Sequence, residues 1–509
     1  TLDFFPRMDY NKIMECTYFF VCFDEKEGVF MNEIIKHVNI PQPVIDILDL
    51  LHSKTEHAYL VGGCVRDMIL GVEPHDYDIC SDLSPEAASE ILRTKYQVLP
   101  KGIKFGTISV LIDGIEYEIT TFRGDSKYSD GRHPDSIRFV SNIEEDLARR
   151  DFTMNAMAFD IKTNTLIDPF DGKSYILLGL LRTVGNPDER FQEDGLRILR
   201  ALRFAIKYDL QIEPKTKEAM LRNRNMLQSV STERITEEFR KILTCGKPIS
   251  PIFMEFSPII AEIIPEITPC IGLDQKNPYH KHDVYEHMLA VTDLCETDSF
   301  VIKMAALLHD IGKPKTKAFN EAKDHYSFHG HPEVSYEISI QVLSRDFRCT
   351  SIENDRIVNL VRYHDTEIVP TKPCVKRWLN KFGVDFMRDW LILKTADRDD
   401  HVYPNEYGVV GENYPTWYPK TEEIEVVLSE ILQEQSAFAI KDLAINGHDL
   451  IAIGLKPGPK FSHYLQKCLE AVMDGTCENN HDELLKFVVQ LLMQETRNAV
   501  VNISQLLLN

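Results

Sequence analysis

The 509-residue sequence has no long apolar run, no closely spaced cysteine pair and no excess of basic residues. No apolar run approaches the ~20 residues that a membrane-spanning helix needs, so we expect no membrane partner. The 11 cysteines are irregularly spaced and form no CxxC pair, which favours reduced thiols and a cytoplasmic location over a disulfide framework. Average contents of glycine (24) and proline (25) exclude collagen-like and wholly disordered classes.

The shortage of basic residues argues at first against a nucleic-acid partner, because phosphate binding needs Lys and Arg. The chain has 57 Lys and Arg against 79 Asp and Glu, for a formal net charge of −22. Residues 182–247, however, hold 14 basic and 10 acidic residues, a balance of +4, whereas residues 404–509 hold 7 and 15, a balance of −8. Since the local field governs substrate approach, we expect nucleic acid to bind in the basic segment.

The sequence pattern changes from mixed α and β to helical near residue 182. The expected strands are 58–61, 77–79, 107–112, 115–122 and 156–160, and a tight Asp113-Gly114 turn joins the third to the fourth. Residues 124–136 and 403–420 have the composition of a mobile loop and a linker. The predicted parts are an extension (1–30), an α+β unit (31–182), a helical segment (183–247), a proline-rich linker (248–279), a second helical unit (280–402) and a helical C-terminal region (403–509).

A Gly-Gly turn between a predicted strand and a predicted helix is the first candidate binding feature. Backbone N–H groups of Gly62 and Gly63 at a helix start can cradle a triphosphate, and Arg66 in the first turn can add phosphate contacts. A plain packing turn would show the same pattern. The turn alone therefore leaves both readings open.

Two carboxylates follow the turn after about a dozen residues. Asp76 and Asp78 are two apart on a predicted strand, so both should point to one face. Such a pair is unfavourable unless a cation neutralises it, and oxygen ligands favour Mg²⁺. A solvated Asp-x-Asp turn is the alternative, but the nearby glycine turn favours metal-assisted displacement at phosphorus.

A predicted helix carries polar residues at every third position. Asp194, Arg197, Arg200 and Arg203 spread over one side, while apolar residues fill the other. A carboxylate beside a guanidinium can read the Watson–Crick edge of a base, and the remaining arginines can hold phosphates. A solvated face or a simple helix salt bridge is the structural alternative.

The region around these residues resembles the family of tRNA nucleotidyltransferases and bacterial poly(A) polymerases, the class II branch of the polymerase-beta superfamily. The resemblance covers residues 58–243. It rests on five ordered motifs: residues 60–82, Arg149-Arg150-Asp151-Phe-Thr-Met-Asn-Ala-Met-Ala158, Asp168-Pro-Phe-Asp-Gly172, Glu193-Asp194-Gly-Leu-Arg197 and Glu233-Arg234-Ile-Thr-Glu-Glu-Phe-Arg-Lys-Ile-Leu243.

The resemblance implies an α+β polymerase-beta-type nucleotidyltransferase head followed by an all-α neck. Asp76 and Asp78 would be the catalytic, Mg²⁺-binding residues. Glu118 is a possible third acidic group, but Glu116 faces the same way, and both also fit a polar exposed strand face. Nucleotide binding would involve Gly62, Gly63, Arg66, Arg150, Asp151, Asp194, Arg197, Arg200 and Arg203, with Asp194 and Arg197 reading the base without a template.

The family includes enzymes that add CCA, only CC, only A, or a poly(A) tail. Ala156-Met157-Ala158 resembles the CCA-adding members, and the flexible loop 123–137 that CC-only members typically lack is intact. The expected activity is therefore transfer of CMP and AMP from CTP and ATP to the tRNA 3′ end, with release of pyrophosphate. An A-adding enzyme or poly(A) polymerase is the alternative.

A second candidate site consists of histidines and aspartates within a helical pattern. Imidazole and carboxylate ligands suit Mn, Fe, Ni, Co or Zn, alone or as a pair. The ordered set resembles the HD phosphohydrolase domain, which implies an all-α unit with metal-dependent hydrolysis as an added or even the main activity. A domain that binds metal without turnover remains the alternative. The implied ligands are His287, His309, Asp310, His331, His364 and Asp397, whereas His282 and His329 are interpreted as surface residues.

The C-terminal region resembles the helical tail of bacterial CCA-adding enzymes that carry an HD domain. The matching residues are Asn446–Leu450 and Gly454–Pro459. This tail would contact tRNA, pack against the HD domain, or do both. The expected partners are tRNA, CTP and ATP, and no protein partner is implied. The first 30 residues lack signal-peptide features, and we expect an upstream extension before Met31.

Overall fold

The computed structural model describes residues 40–99, 102–124, 138–276, 281–321, 325–400 and 421–506. The chain divides into two compact units, Thr1–Arg234 and Ile235–Asn509. The predicted extension, the linker expected at 403–420 and, apart from Gly124, the loop expected at 124–136 lie outside the described residues.

A seven-stranded mixed sheet organises the first unit, with the strand order β3-β4-β5-β2-β1-β8-β9. Only β2 and β5 pair in parallel in it. Asp113 and Gly114 have φ of 51° and 82°, as a two-residue hairpin requires. The strands of this unit are β1 (Ala58–Val61), β2 (Ile79–Ser81), β3 (Gln97–Leu99), β4 (Thr107–Ile112), β5 (Ile115–Thr121), β6 (Arg123–Gly124), β7 (Arg138–Phe139), β8 (Ala158–Asp160), β9 (Thr165–Ile167), β10 (Leu180–Leu181) and β11 (Gln211–Ile212).

Helices cover this sheet and continue beyond it. The first begins after Pro41, and its buried Val44, Ile47 and Leu51 lie at helical spacing. The mixed α+β head and the helical segment after it are therefore confirmed. The helices are α1 (Gln42–His52), α2 (Gly63–Ile69), α3 (Pro85–Leu92), α4 (Ile143–Ala148), α5 (Gly172–Leu177), α6 (Pro187–Glu193), α7 (Leu196–Tyr208) and α8 (Pro214–Arg222).

Helix α7 buries the apolar side predicted from its periodicity, including Leu199 and Leu202. The expectation that Asp194 shares this helix is wrong. Asp194 has extended backbone angles (φ −152°, ψ 105°) between α6 and α7. At the next residue, Gly195, an added Cβ would lie 2.5 Å from the Met226 carbonyl oxygen. The chain passes another backbone segment so closely there that a side chain would not fit without a shift.

The second unit is helical, as expected, apart from a short hairpin that the sequence pattern does not predict. The hairpin consists of β12 (Ala318–Asn320) and β13 (His325–Ser327). The helices are α9 (Thr232–Leu243), α10 (Ser250–Glu255), α11 (Ser257–Ile263), α12 (Val284–Leu294), α13 (Phe300–Leu308), α14 (Lys313–Thr316), α15 (His331–Asp346), α16 (Ser351–Tyr363), α17 (Lys372–Asp400), α18 (Thr421–Gln433), α19 (Gly447–Ala452), α20 (Pro459–Met473) and α21 (His481–Leu506).

The structure differs from the linker expected at 248–279. Helices α10 and α11 and a 3₁₀ turn at Pro265–Cys270 occupy this segment. Phe253, Ile260 and Ile267 are fully buried. Pro251, Pro258 and Pro265 lie in the first turns of these elements, where a missing N–H costs little, so they start helical turns here rather than interrupt them.

The C-terminal helices have their own core, in which Tyr464, Leu469 and Leu484 are fully buried. None of the described helices is both long and apolar enough to cross a membrane. The nine cysteines within the described residues are all free thiols.

Candidate active site and histidine-aspartate centre

The Gly62-Gly63 turn lies between β1 and α2, as predicted, and we call its surroundings the glycine-turn site. Gly62 has φ of 78°, and an added Cβ would lie 2.8 Å from Nη1 of Arg150 and 3.7 Å from Oδ2 of Asp78. Its N–H already donates to the Met157 carbonyl at 3.0 Å. Glycine is therefore required here by the backbone angle and by the close approach of these two charged side chains.

The side chains of Arg66 and Arg150 are held at this turn by contacts that include the same residue, Asn155. Arg66 donates from Nη1 to Oδ1 of Asn155 at 2.7 Å and from Nε to Oδ1 of Asp67 at 2.9 Å. Arg150 contacts the Asn155 carbonyl at 3.4 Å and Asp146 at 3.2 Å. Asn155 thus links the two guanidinium groups that the sequence assigns to the nucleotide.

Asp76 and Asp78 precede β2 rather than lying on it, so their expected place on a strand is wrong. The expected alternation still holds, because both residues are exposed while Tyr77 between them is buried. The surface of Asp78 is accessible, but its carboxylate lies close to Gly62. Desolvation by surrounding atoms, together with the charge of Asp76, raises the pKa of Asp78, and Arg150 opposes this rise. The two carboxylates are therefore close enough to repel each other.

The register of the sheet places both possible third acids beside the two aspartates. Ile79 of β2 pairs with Ile119 of β5, so the residues before them, Asp78 and Glu118, are neighbours across the two strands. Glu116 lies two residues further away along β5. Extended by two more residues, the same parallel register places Glu116 opposite Asp76, so each glutamate lies opposite one aspartate of the pair.

Asp151 points into the protein rather than toward solvent. Its Oδ2 accepts from Nε of Arg200 at 2.7 Å, and its Oδ1 accepts from Nδ2 of Asn155 at 3.2 Å. Burial raises the pKa of Asp151, but the charges of Arg200 and Arg197 outweigh it and lower that pKa below its usual value. Asp151 is an ionised anchor that connects Arg200 to the segment around Asn155.

Asp194 and Arg197 do not pair with each other. Both oxygens of Asp194 accept from Arg234, at 3.1 and 2.7 Å, whereas Arg197 donates to Glu193 at 2.6 Å. The pairing differs from the expectation because Asp194 has left the helix. Arg203, the last arginine of the row, has its guanidinium 4.2 Å from the Phe204 ring centre.

The second candidate site, which we call the histidine centre, brings together all six predicted residues. Nε2 of His287 lies 3.3 Å from Nε2 of His309, and Nε2 of His331 lies 3.1 Å from Nε2 of His364. Asp310 is near all four rings, and Asp397 Oδ1 lies 3.2 Å from Nε2 of His287.

Helix ends orient three of these rings. His309 and His364 cap α13 and α16, and His331 begins α15. Their Nδ1 atoms lie 2.7, 2.7 and 2.9 Å from main-chain carbonyls three residues earlier, so each Nδ1 donates to a carbonyl and each Nε2 faces the centre. Burial and the charges of His309 and His331 lower the pKa of His364 well below its usual value, which keeps this ring neutral.

The donor set fits one or two metal ions. Two groups each offer three ligand atoms within 4.8 Å of one another, and both include Asp310. One group adds His287 and His309, and the other adds His331 and His364. All these residues are buried. Neutral imidazoles around a shared carboxylate are the ligand type that transition metals prefer.

Two further residues support the histidine centre. Oδ2 of Asp400 lies 2.8 Å from Nδ1 of His287, and Nζ of Lys313 lies 2.6 Å from Oδ2 of Asp310. Although burial opposes it, hydrogen bonding to Asp397 and Asp400 raises the pKa of His287 to about 9, so a metal at its Nε2 has to displace a proton.

His329 is exposed as expected, but His282 is not a plain surface residue, since its Nε2 lies 3.5 Å from Asp400.

Both candidate sites lie in segments of the chain that match known protein families. Residues 58–182 match the Poly A polymerase head domain and 284–400 match the HD domain. Residues 209–269 match a probable RNA and SrmB-binding site of polymerase A, and 419–488 a putative tRNA nucleotidyltransferase domain 2. A CCA-adding enzyme of Limosilactobacillus fermentum is 45% identical over 452 residues, which are 89% of this chain and 97% of that protein.

The chain belongs to the CCA-adding enzyme family. A second family member, from Lactobacillus delbrueckii subsp. bulgaricus, is 31% identical over 448 residues, 87% of this chain and 96% of that enzyme. The crystal structure of the Bacillus stearothermophilus CCA-adding enzyme in complex with CTP matches with a TM-score of 0.65 and 26% identity, covering 90% of this chain and 100% of the other. The nucleotidyltransferase and HD domains of this family member imply the use of divalent metal ions.

Sequence reasoning missed three supporting residues of this CCA-adding enzyme family member. Asn155 and Arg234 lie inside motifs that were recognised, but neither was assigned a role. Asp400 follows Asp397 by three residues on one helix, a spacing that places both on the same face. That spacing was an available signal, whereas the partners of Asn155 and Arg234 are 89 and 40 residues away.

Proposed function

We infer that this protein completes the 3′ end of tRNA by transferring CMP and AMP from CTP and ATP, with release of pyrophosphate and without a nucleic-acid template. The observation that carries this inference is the convergence of Asp78, Arg66 and Arg150 on one glycine turn. It occurs in a chain that aligns with 97% of a CCA-adding enzyme. The activity depends on positioning and charge rather than on covalent catalysis.

Asp76 and Asp78 are the proposed catalytic carboxylates. Neighbouring carboxylates and a third acid, Glu118, form an all-oxygen donor set that fits Mg²⁺. Bound Mg²⁺ would supply the positive charge that an in-line displacement at the α-phosphate needs. Glu116, two residues from Glu118 on the same exposed face, is the alternative third acid.

Arginines on both sides of the turn are proposed to bind the substrate phosphates. Arg66 and Arg150 hold the triphosphate at Gly62 and Gly63, where the absence of side chains permits close approach. Arg200, which Asp151 holds in place, and Arg203 are proposed to bind the remaining phosphates and the RNA backbone.

Asp194 and Arg197 are proposed to read the base. Cytosine and adenine both offer an exocyclic amino group, from which a carboxylate can accept a hydrogen bond. A carboxylate has about four lone-pair sites, so Asp194 keeps acceptor capacity while Arg234 holds it. Arg197, held by Glu193, supplies the complementary donor.

The test is nucleotide incorporation into a tRNA that lacks CCA. Asp76→Ala should abolish incorporation of labelled CTP and ATP, whereas Asp49→Ala, an exposed carboxylate change on α1, should leave it intact. Undiminished incorporation by Asp76→Ala would refute the assignment. Labelled CTP supplied alone separates the alternatives, because an A-adding enzyme or poly(A) polymerase would incorporate none.

We also propose that the histidine centre is a metal-dependent phosphohydrolase site. The two ligand groups that share Asp310 support this function. The proposed ions are Mn, Fe, Ni, Co or Zn, each of which would supply an activated water for phosphoester cleavage when bound. His309→Ala should lose both the bound metal and hydrolysis of bis(p-nitrophenyl) phosphate. Metal binding without turnover by the wild type would instead indicate a domain that only retains its metal.

The remaining assignments concern the parts of the chain and its location. The proposed division is a head (31–182), a neck (183–247), an HD domain (280–402) and a C-terminal region (403–509) that contacts tRNA. A cytoplasmic location agrees with the free thiols of the nine described cysteines.

A further inference from the structure

The arginines of the glycine-turn site lie over aromatic rings of helix α7. The guanidinium carbon of Arg66 is 4.6 Å from the ring centre of Tyr208 and 5.8 Å from that of Phe204. Arg200 and Arg203 lie 5.2 and 4.2 Å from the Phe204 ring centre. Two aromatic residues one helical turn apart therefore contact three of the four arginines assigned to phosphate binding.

Tyr208 and Arg66 come from different parts of the first unit. Arg66 lies on α2 directly after the glycine turn, whereas Tyr208 is the last residue of α7. The Tyr208 hydroxyl also donates to Oδ1 of Asp67 at 3.4 Å, the same oxygen that accepts from Nε of Arg66. Tyr208 thus contacts both the guanidinium and its anionic partner.

The arrangement leaves Arg66 ready to bind an anion. Its Nε and Nη2 contact Asp67, its Nη1 contacts Asn155, and its guanidinium carbon lies over the Tyr208 ring. A guanidinium has five N–H groups, so two of them have no partner among the described residues. Stacking on a face leaves the N–H edges of the plane available. An added Cβ at Gly63 would lie 3.5 Å from Nη2, so this edge faces the glycine turn.

We propose that Tyr208 is a positioning residue that holds Arg66 in place for the triphosphate of the incoming nucleotide. The proposal rests on the proposed function, since it assigns Arg66 to the triphosphate. It predicts an effect on binding of the triphosphate, which CTP and ATP share. Selection between the two bases should therefore not depend on Tyr208.

The first test measures the dissociation constants of CTP and CMP for the full-length protein in Ca²⁺, so that no transfer occurs. Tyr208→Leu should weaken CTP binding about tenfold, the size of a desolvated cation–π contact. It should change CMP binding less than twofold, because CMP lacks the β- and γ-phosphates. Tyr208→Phe keeps the ring and should stay within twofold of the wild type for both ligands.

A matched control is available in the same unit. Tyr96 also has a cation over its ring, Lys95 at 5.2 Å, and its hydroxyl also donates to an aspartate, Asp46, at 3.1 Å. Tyr96→Leu should leave CTP binding unchanged. Tyr208→Met, which keeps apolar volume and helix propensity, replaces Tyr208→Leu if thermal unfolding shows that the leucine variant is unfolded.

A double-mutant cycle tests whether Tyr208 acts through Arg66. In an Arg66→Ala background, Tyr208→Leu should weaken CTP binding less than twofold further. A tenfold further loss, or equal losses for CTP and CMP, would overturn the proposal and indicate a structural role. If the wild type adds nucleotides to tRNA but Tyr208→Leu binds CTP normally, this inference fails alone. If the wild type adds none, the proposed function fails.

Discussion

In the histidine centre the proposed ligand residues are buried, whereas in the glycine-turn site the two proposed catalytic aspartates are exposed. The histidine centre orients three of its rings by hydrogen bonds to main-chain carbonyls and needs only a small ion to complete it. The glycine-turn site is proposed to bind a large anionic substrate, and its two aspartates lie at the surface. A site for an ion can be closed, but a site for a nucleotide and an RNA end cannot.

The two sites also differ in how their charges are balanced. In the glycine-turn site and the neck, acids and arginines form pairs, such as Asp151 with Arg200 and Asp194 with Arg234. In the histidine centre, Asp310 is surrounded by four imidazoles and Lys313. We therefore expect changes in one site to leave the chemistry of the other intact.

The largest expected effect comes from Asp310→Asn. Both ligand groups share Asp310, so losing its charge should weaken metal binding beyond the roughly 10–100-fold that loss of a supporting residue costs. Metal content measured by mass spectrometry after dialysis checks this, and nucleotide incorporation into tRNA should stay at the wild-type rate. A parallel loss of incorporation would break the independence of the two sites.

A smaller effect is expected from Asp400→Ala, which removes the partner of Nδ1 of His287. Supporting carboxylates orient a ligand ring and raise its basicity, so metal affinity should fall about 10–100-fold. Asp399→Ala is the matched control, because Asp399 is adjacent in sequence but pairs with Arg398. Equal affinities of the two variants would show that the backbone carbonyls and packing alone position the rings.

Arg234→Ala tests the paired charges of the neck. Without Arg234 the Asp194 carboxylate loses two bonds, and kcat/KM for CTP and ATP should fall about tenfold, the cost of one charge-assisted contact. Misincorporation of UTP or GTP should rise at the same time. Arg345→Ala, which breaks a similar two-bond pair with Glu266 in the second unit, should change neither quantity.

The sequence predicts the components of both sites better than their connections. The strand, glycine turn and helix around Gly62 are local, and so are the helix ends that carry His309 and His364, which is why periodicity and spacing locate them. The partner of Asp194 and the path of the chain at Gly195 depend on segments about 30 to 40 residues away, which no local pattern encodes. The expectation of a linker at 248–279 is wrong for a different reason, since proline occurs in linkers and is also over-represented at the start of helices.

The smallest expected effect compares two glycines, both with positive φ. Gly114→Ala should lower the free energy of unfolding by about 1–2 kcal/mol, and Gly62→Ala by about 1–3 kcal/mol because its backbone (φ 78°, ψ −124°) suits essentially only glycine, as measured by urea denaturation. Around Gly114 an added Cβ meets no atom within 4 Å, whereas at Gly62 it would lie 2.8 Å from Nη1 of Arg150. Only Gly62→Ala should therefore displace Arg150 and raise the KM for CTP. A similar KM for both variants would mean that Arg150 can move aside without affecting CTP binding. The close packing of Arg150 on the turn would then have a structural role and no role in nucleotide binding.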